Sequence, residues 1–342
     1  MTNPKSVYDG KIVVVTGATG LVGMHLVPRL LNAGAKVISL AMNPPVATNL
    51  GYEVADVEFA AVDLRFPGSA SRYVCGADYV FHLAGIKGST GIGRALGHTF
   101  YTDTILMNTH VLEAAYNWEV PVLYTSSIAV YPPLQRRCEV HDTILGNPHS
   151  ADIFAATAKR AGEVQLEAMR SDFDDWLVVR PANIYGPYDN FDPETAMVVG
   201  ALIGRIEAGE SPLEVWGNGR AVRDFIMADD VANAMVMLMA NENLRPGIFN
   251  VGAGEGSTIK TLVNTMSRLW DDVTDVRWKS GAPTGQHYKV LDTKPIRTQT
   301  NWKPWFSLKD GLRVTRQWYQ DWGVHVRGTR YNPFQGDGYH AD

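Results

Sequence analysis

The chain has 342 residues and a formal net charge of −5, and 45% of its residues are hydrophobic while 20% are charged. This balance fits one large or two modest globular domains, and it argues against disorder and against nucleic acid as a partner, because no basic excess is present. Two cysteines are too few for a disulfide scaffold, and the polar N-terminus does not resemble a signal peptide. Charged residues interrupt the apolar stretch at 21–42, so we predict no membrane span there. We therefore expect a cytoplasmic enzyme.

The first fifty residues predict a strand, a glycine turn, a helix and a second strand, which together form a βαβ unit. The β-branched run 11–16 is typical of a strand buried on both faces, and 24–33 is typical of a helix closed by Gly34. The second strand follows at 36–40.

The alternation of strands and helices continues as far as Pro181. The predicted strands lie at 57–62, 78–84, 120–125 and 175–180, and the predicted helices lie at 102–118 and 151–171. This alternation predicts an α/β fold, a Rossmann-like doubly wound parallel sheet with helices on both faces.

Beyond Pro181 the chain is richer in Pro, Gly, Trp and Asn, and its periodicity is weaker apart from a helix at 229–241 and a strand at 247–251. We therefore expect a second, smaller α/β lobe that binds substrate and interleaves with the sheet domain. The expected divisions are a dinucleotide-binding domain at 8–182, with 226–252 returning to it, the substrate-binding lobe at 183–225 and 253–327, and an aperiodic tail at 328–342.

The glycines of the first turn predict a dinucleotide site. Gly17 permits a tight turn, Gly20 leaves room for a pyrophosphate, and Gly23 allows the helix to pack closely on the strand. The start of the helix then faces the anion.

The second half of this fingerprint is missing, because Ala41 stands where an acidic residue would bind the ribose 2′-hydroxyl. No arginine lies between Arg29 and Arg65 to hold a 2′-phosphate, so NAD is favoured over NADP. Asn43 is a candidate partner of the ribose hydroxyls, and Asp63–Leu64 are expected near the adenine.

Seven motifs in chain order resemble those of the extended short-chain dehydrogenase/reductases that act on nucleotide sugars. The motifs are Thr16–Gly23, Asp63–Leu64, His82–Ala84, Leu112–Ala115, Ser126–Tyr131, Arg180–Pro187 and Trp216–Phe225. The resemblance covers about residues 10–320 and implies a bound dinucleotide and a nucleoside-diphosphate-sugar substrate. The cofactor contacts that we infer from the glycine turn and this resemblance are Gly17, Thr19, Gly20, Leu21, Val22, Gly23, Asn43, Asp63, Leu64, Leu83, Ala84, Gly85 and Lys159.

The family's catalytic group is a Ser or Thr followed by Tyr-x-x-x-Lys on a helix. The tyrosine is the acid/base, and the lysine one turn later binds the nicotinamide ribose and lowers the tyrosine pKa. Ser127 and Lys159 match the serine and the lysine, but Ala155 occupies the tyrosine position. A methyl group cannot transfer a proton, so we expect the chain as written to be nearly inactive.

Two explanations of Ala155 are open. One is an engineered change from tyrosine to alanine, made to trap a substrate complex, because the other motifs are intact. The other is natural loss, which would give a nucleotide-sugar binding protein or an enzyme with a displaced base. Tyr131 and His82 are candidates for that base, although a structural role is the simpler interpretation of both.

The residues after Ser127 narrow the reaction that the resemblance implies. Dehydratases carry Asp-Glu there, where this chain has Ile128–Ala129. The loop Gly85–Gly91 and the segment Ile184–Phe191 resemble the GDP-mannose 3,5-epimerase and GDP-fucose synthase branch. The catalytic cysteine of that branch corresponds to Ala129, and its second acid/base falls near 195–197, where neither group is present.

The remaining chemistry is hydride transfer at C4, which favours 4-epimerisation. Simple oxidation or reduction at C4 is one alternative, and 3,5-epimerisation is another. Two other classes stay open, a non-catalytic nucleotide-sugar binding protein and a redox-sensing scaffold that recruits a protein partner.

The candidate substrate contacts come from the loop after the fourth strand, the catalytic serine and the second lobe. They are Lys87, Ser89, Ser127, Asn183, Trp216, Arg223 and Lys289. Arg223 and Lys289 are the proposed phosphate ligands, because guanidinium and ammonium groups suit phosphate oxygens. The scattered histidines predict no metal. The resemblance also implies a homodimer formed through the helices at 102–118 and 152–171.

Overall fold

The computed structural model describes residues 4–44, 53–273, 275–281 and 285–326. The tail predicted at 328–342 lies outside these residues.

Strands alternate with helices along most of the described chain. The strands are β1 (Ile12–Thr16), β2 (Lys36–Ala41), β3 (Val57–Ala61), β4 (Tyr79–His82), β5 (Val122–Thr125), β6 (Trp176–Pro181), β7 (Asn183–Tyr185), β8 (Leu213–Trp216), β9 (Val222–Arg223), β10 (Phe225–Met227), β11 (Gly247–Val251), β12 (Ser257–Thr258), β13 (Val276–Lys279) and β14 (Tyr288–Lys289). The helices are α1 (Pro4–Tyr8), α2 (Gly23–Asn32), α3 (Ser71–Val74), α4 (Thr90–Ala95), α5 (Gly97–Asn117), α6 (Ile153–Met169), α7 (Val198–Glu207), α8 (Ala228–Met239), α9 (Ile259–Leu269), α10 (Lys294–Thr300) and α11 (Leu308–Val326).

Within the described residues, β1–β6 and β11 form a seven-stranded sheet in the order β11-β6-β5-β4-β1-β2-β3. Every pairing in it is parallel. The chain moves outward from β1 to β3 and then returns to the other side of β1 with β4. The Rossmann-like doubly wound sheet predicted from the sequence is therefore confirmed, and its switch point lies between β1 and β4.

The apolar strands are buried because helices cover both faces of the sheet. Val13 and Val15 of β1 enter one core, while Val14 between them enters the other, as the two-residue period of a strand requires. The first core contains residues of α2 and α8, and the second contains residues of α3, α5 and α6.

A third core belongs to a smaller lobe built around β8 and β10 and the helices α7, α9 and α11. It joins short strand pairs rather than one large sheet: β10 pairs with β7, β13 with β8, and β9 with both β12 and β14. The parallel β9–β14 pair places Arg223 opposite Lys289.

The structure corrects two expectations about the elements. Helix α5 begins at Gly97, five residues before the predicted start at Thr102. The stretch after Trp305, where no helix was predicted, contains the long helix α11. Ser307 caps its start by accepting a hydrogen bond from the Asp310 nitrogen at 3.2 Å, and its apolar residues Leu312, Trp318 and Tyr319 are buried in the third core.

Candidate functional site

The glycine turn after β1 lies at the switch point of the sheet. Gly17 has φ +67°, and a Cβ at this position would lie 2.8 Å from the backbone nitrogen of Ala84, at the end of β4. A Cβ at Gly23 would collide with the carbonyl group of Ala18. Both positions therefore require glycine, and the positive end of the α2 dipole is held against the crevice between β1 and β4.

A cleft opens at this crevice, and most of the predicted cofactor residues line it. These are Gly17, Thr19, Gly20, Asn43, Asp63, Leu64, Leu83, Ala84 and Gly85. Leu21, Val22 and Gly23 are not among its lining residues. Val22 is instead buried in the first core at the start of α2, because the turn of the helix points its side chain inward. Leu21, Val22 and Gly23 stay predicted cofactor contacts.

The glycine turn and this cleft fit a dinucleotide, because Gly20 lines the cleft and has no side chain to obstruct an approaching pyrophosphate. Met42, Ile86 and Met107 add apolar surface to the walls. Bound NAD would supply the hydride acceptor and donor that the family's chemistry uses.

Arg65 is a cleft residue that sequence reasoning did not use. Its guanidinium donates to both carboxylate oxygens of Asp63, at 3.0 and 3.1 Å from Nε and 2.6 Å from Nη2, and to Asp103 of α5 at 3.1 Å. Burial acts to raise the pKa of Asp63, but the hydrogen bonds from Arg65 outweigh it and lower that pKa. The charge of this arginine is therefore balanced by two carboxylates within the protein.

Lys159 of α6 connects this cleft to the end of β5. Its Nζ donates to the carbonyl oxygen of Thr125 at 2.8 Å, and a Cβ at Gly85 would lie 2.9 Å from the same Nζ. Burial lowers the Lys159 pKa to about 8. Ser127, two residues beyond Thr125, caps a short 3₁₀ turn by accepting a hydrogen bond from the Ala129 nitrogen at 3.1 Å.

Ala155 lies in the first turn of α6, one helical turn before Lys159. Residues four apart share a helix face, so position 155 is on the same face as the lysine. The structure thus carries the serine and lysine of the predicted group near the cleft, with a methyl group in the acid/base position.

A buried hydrogen-bond chain runs from the glycine turn to Lys159. The Ala84 nitrogen donates to the Thr16 hydroxyl at 3.2 Å, and that hydroxyl meets Nδ1 of His82 at 2.7 Å. Nε2 of His82 lies 3.1 Å from Oδ1 of Asn108. The Asn108 amide donates to the Tyr124 hydroxyl at 2.8 Å, which donates to the Lys159 carbonyl at 3.1 Å.

All hydrogen bonds in this series can donate in the same direction, from Ala84 towards Lys159, if His82 is neutral with its proton on Nε2. This protonation is assigned from the hydrogen bonds. Burial, with a further contribution from the Lys159 charge, lowers the His82 pKa to about 3. His82 is fully buried and both of its ring nitrogens are engaged. It is therefore a structural group and not a replacement base.

Tyr131, the other candidate base, is also held in the interior. Its hydroxyl donates to Oδ1 of Asn250 at 2.6 Å and accepts from Arg180 at 2.9 Å. Burial raises the Tyr131 pKa to about 12 despite the nearby arginine. The arrangement supports its structural interpretation.

The predicted substrate residues of the loop after β4 contact the segment that follows β7. Lys87 Nζ donates to Asp189 at 3.1 Å, and Ser89 Oγ donates to the Glu194 carbonyl at 3.4 Å. Neither side chain lines the cleft. Trp216, at the end of β8, is 49% exposed.

The remaining predicted substrate residues gather where β9 and β14 meet the start of α6. Lys289 is paired with Asp152, the residue just before α6, and lies opposite Arg223. Burial lowers the Arg223 pKa, with the Asp152 charge acting in the opposite direction. Asn183 donates from both its backbone and side-chain nitrogens to the Asp224 carbonyl at 2.9 Å.

Tyr188 and Trp318 are further cleft residues that the sequence interpretation missed. Both come from the smaller lobe, and their rings lie 4.8 Å apart. Tyr188 has φ +67°, which is uncommon for a bulky residue and frequent near functional sites. The available signal was its place in the Gly-Pro-Tyr-Asp turn, whereas nothing local marked Trp318.

Two negative observations limit the chemistry of the described chain. No group of three or more His, Cys, Asp or Glu side chains among its described residues is arranged to hold a metal. None of the helices described in 4–326 combines the length and apolar character needed to cross a bilayer.

Among proteins of known sequence, the chain is 30% identical over 319 residues to the probable GDP-L-fucose synthase 1 of Oryza sativa, covering 91% of this chain and 92% of that protein. Among solved structures, an epimerase from Methanothermobacter thermautotrophicus matches with a TM-score of 0.82 at 22% identity, covering 96% of this chain and 98% of that one.

A UDP-glucose 4-epimerase from Thermotoga maritima matches with a TM-score of 0.78 at 24% identity, covering 91% of this chain and 99% of that one. At these identities the two structures establish the fold. The model of the NAD dependent epimerase/dehydratase family matches residues 13–252, which include the glycine turn, Ser127 and Lys159. The chain therefore belongs to the NAD dependent epimerase/dehydratase family.

Proposed function

We propose that the protein is an NAD-dependent nucleotide-sugar C4 epimerase whose tyrosine acid/base position is occupied by Ala155. The observation that carries the proposal is the position of Lys159, whose ammonium lies against Gly85 in the cofactor cleft and donates to Thr125 beside Ser127. Position 155 is one turn away on the same helix face, where a proton-transfer group would be held between lysine and substrate.

The chemistry follows from these groups. A tyrosine at position 155 would remove the proton of the sugar 4-hydroxyl, and bound NAD would accept the hydride from C4, so that a 4-keto sugar forms. Return of hydride to the opposite face, with the same proton restored to the oxygen, gives the epimer. Ser127 hydrogen-bonds the reacting oxygen, and the buried cation of Lys159 lowers the pKa of the neighbouring phenol.

NAD is the proposed cofactor, in preference to NADP. Ala41 ends β2 without a cation, and the nearest cleft arginine, Arg65, is already bound to Asp63 and Asp103. A ribose 2′-phosphate would have to compete with both carboxylates for that arginine. Calorimetric titration should therefore give a lower Kd for NAD than for NADP.

The decisive experiment restores the phenol. Ala155→Tyr should raise turnover on at least one UDP-, GDP- or dTDP-sugar by about 10²-fold or more, since positioned acid/base groups contribute factors of this size. Product epimers are measured by chromatography with catalytic NAD. Ala155→Phe is the matched control, because it adds the ring without the hydroxyl and should gain nothing.

Cofactor recycling separates epimerisation from its alternatives. An epimerase turns over with a small amount of NAD, whereas a C4 reductase consumes reduced cofactor in proportion to product. If Ala155→Tyr gains no turnover on any sugar, the epimerase proposal is wrong.

A second candidate, a non-catalytic nucleotide-sugar binding protein, is favoured by Ala155 itself. It would bind NAD and a nucleotide sugar with either alanine or tyrosine at position 155, without turnover in either form.

A further inference from the structure

The corner where Arg223, Lys289 and Asp152 meet contains two cations and one carboxylate. Arg223 and Lys289 are neighbours in register on β9 and β14, and the Lys289 ammonium is paired with the Asp152 carboxylate. The side chain of Lys289 is only 10% exposed, while that of Asp152 is 22% exposed. The two cations are thus adjacent in a poorly hydrated place, where an anion with several acceptor oxygens is a suitable partner.

Asp152 pairs with Lys289 although it lies at the N-cap position of a helix. It is the N-cap residue of α6, where an Asp side chain normally accepts hydrogen bonds from the first-turn N–H groups. Its side chain makes no capping hydrogen bond here, and instead reaches Lys289, 137 residues away in the chain. The carboxylate thus has two alternative partners, the lysine that it contacts now and the first turn of α6 immediately beside it.

We propose that Asp152 is an internal competitor for the phosphate site, which the diphosphate of a nucleotide ligand displaces from Lys289. A diphosphate carries more charge and more acceptor oxygens than one carboxylate, so it is the better partner for two adjacent cations. The inference rests on the proposed function, because it takes the ligand to be a nucleoside diphosphate or its sugar ester.

Displacement also has a consequence for α6. The released Asp152 carboxylate is one residue from Ile153, and by capping the helix it satisfies N–H groups of the turn that contains residue 155. Phosphate binding thereby fixes the start of the helix that carries position 155 and Lys159. The ion pair with Lys289 is one of the two positions that we propose for this side chain.

The experiment replaces the Asp152 carboxylate with uncharged side chains that are still able to cap α6. Asp152→Asn and Asp152→Ser retain good capping side chains but lose the charge, so UDP and GDP titrated calorimetrically should bind about fivefold more tightly than to the natural protein. Uridine and guanosine, which carry no phosphate, should bind with unchanged affinity. Asp152→Glu keeps the charge and should bind within about twofold of the natural protein.

Glu167→Gln is the matched control, because it removes one negative charge from the far end of the same helix, where Glu167 pairs with exposed Arg170. It should leave diphosphate affinity unchanged. Thermal unfolding of each variant identifies loss of fold, and using two capping residues keeps the comparison open if one variant unfolds.

Weaker or unchanged diphosphate binding by both Asp152→Asn and Asp152→Ser would overturn the inference, since Asp152 would then merely orient Lys289. If the variants bind inorganic pyrophosphate more tightly but no nucleoside diphosphate, the competitor role stands and the proposed nucleotide-sugar function fails. If nucleotides bind with the same affinity whether or not Asp152 is substituted, the proposed function stands and this inference fails. Binding of neither anion to any form contradicts both.

Discussion

His82 shows at the residue scale how one buried side chain makes the fold sensitive to acid. Between pH 6.5 and about 3, the unfolded chain binds a proton at His82 that the folded chain excludes, because burial lowers the pKa of this imidazole. More protons on the unfolded state mean that the free energy of unfolding decreases as the pH falls through this window.

We therefore predict that His82→Gln, which cannot titrate, loses less stability in acid than the natural protein. Urea unfolding at pH 7 and pH 5 should show a difference in that loss of about 2 kcal/mol. His98→Gln, at an exposed position on α5, is the matched control and should follow the natural protein. If His82→Gln and the unsubstituted protein lost the same free energy of unfolding between pH 7 and pH 5, the prediction would be wrong. The folded protein would then accommodate a protonated His82.

At the scale of elements, the packing of α6 on β5 determines where Lys159 lies. A Cβ at Gly162 of α6 would be 2.7 Å from the hydroxyl oxygen of Tyr124, the residue that also bonds the Lys159 carbonyl. The absence of a side chain at Gly162 lets the helix approach the strand closely enough for that hydrogen bond.

Gly162→Ala should force α6 away from β5 and lower the free energy of unfolding by about 1–3 kcal/mol, the usual cost of overpacking. Gly93→Ala is a helical glycine control in α4, where the nearest neighbouring atom would be 3.9 Å away. It should be neutral or stabilising by up to about 1 kcal/mol, from helix propensity alone. The same sign for both variants in urea unfolding would contradict the packing argument.

At the scale of the whole molecule, α5 and α6 leave apolar side chains in solvent. Leu106 is 36% exposed on α5, and Val164 is 66% exposed on α6. The helices pack on the same face of the sheet, so these positions belong to one outer surface. We propose, in line with the expectation from sequence, that two copies of the chain associate through this surface.

The double variant Leu106→Glu/Val164→Glu should then halve the mass measured by light scattering, because four buried carboxylates would face each other across a twofold interface. Val314→Glu on α11, at a position 41% exposed in the monomer, is the control and should leave the mass unchanged. A natural protein that already has the mass of one chain would disprove the association.

Local pattern predicted the sheet domain well, because each of its strands is apolar, short and bounded by turn residues. The strand at 247–251 has the bounds that its apolar run predicts, and the spacing of its glycines alone indicates the turn after β1. The smaller lobe was harder to predict, because its strands have two to four residues and its helix α11 depends on partners distant in sequence. Strands this short show no periodic signal of their own.

The sequence by itself determined the fold class and the position of the glycine turn, since each depends on residue type at fixed local spacing, and it predicts on the same ground that Ala155 stands in the acid/base position. Tertiary structure alone decided that Asp103 also binds Arg65, and that Asp152 pairs with Lys289. Charges that meet across 137 residues of chain are brought together by folding, and no local pattern encodes their distance.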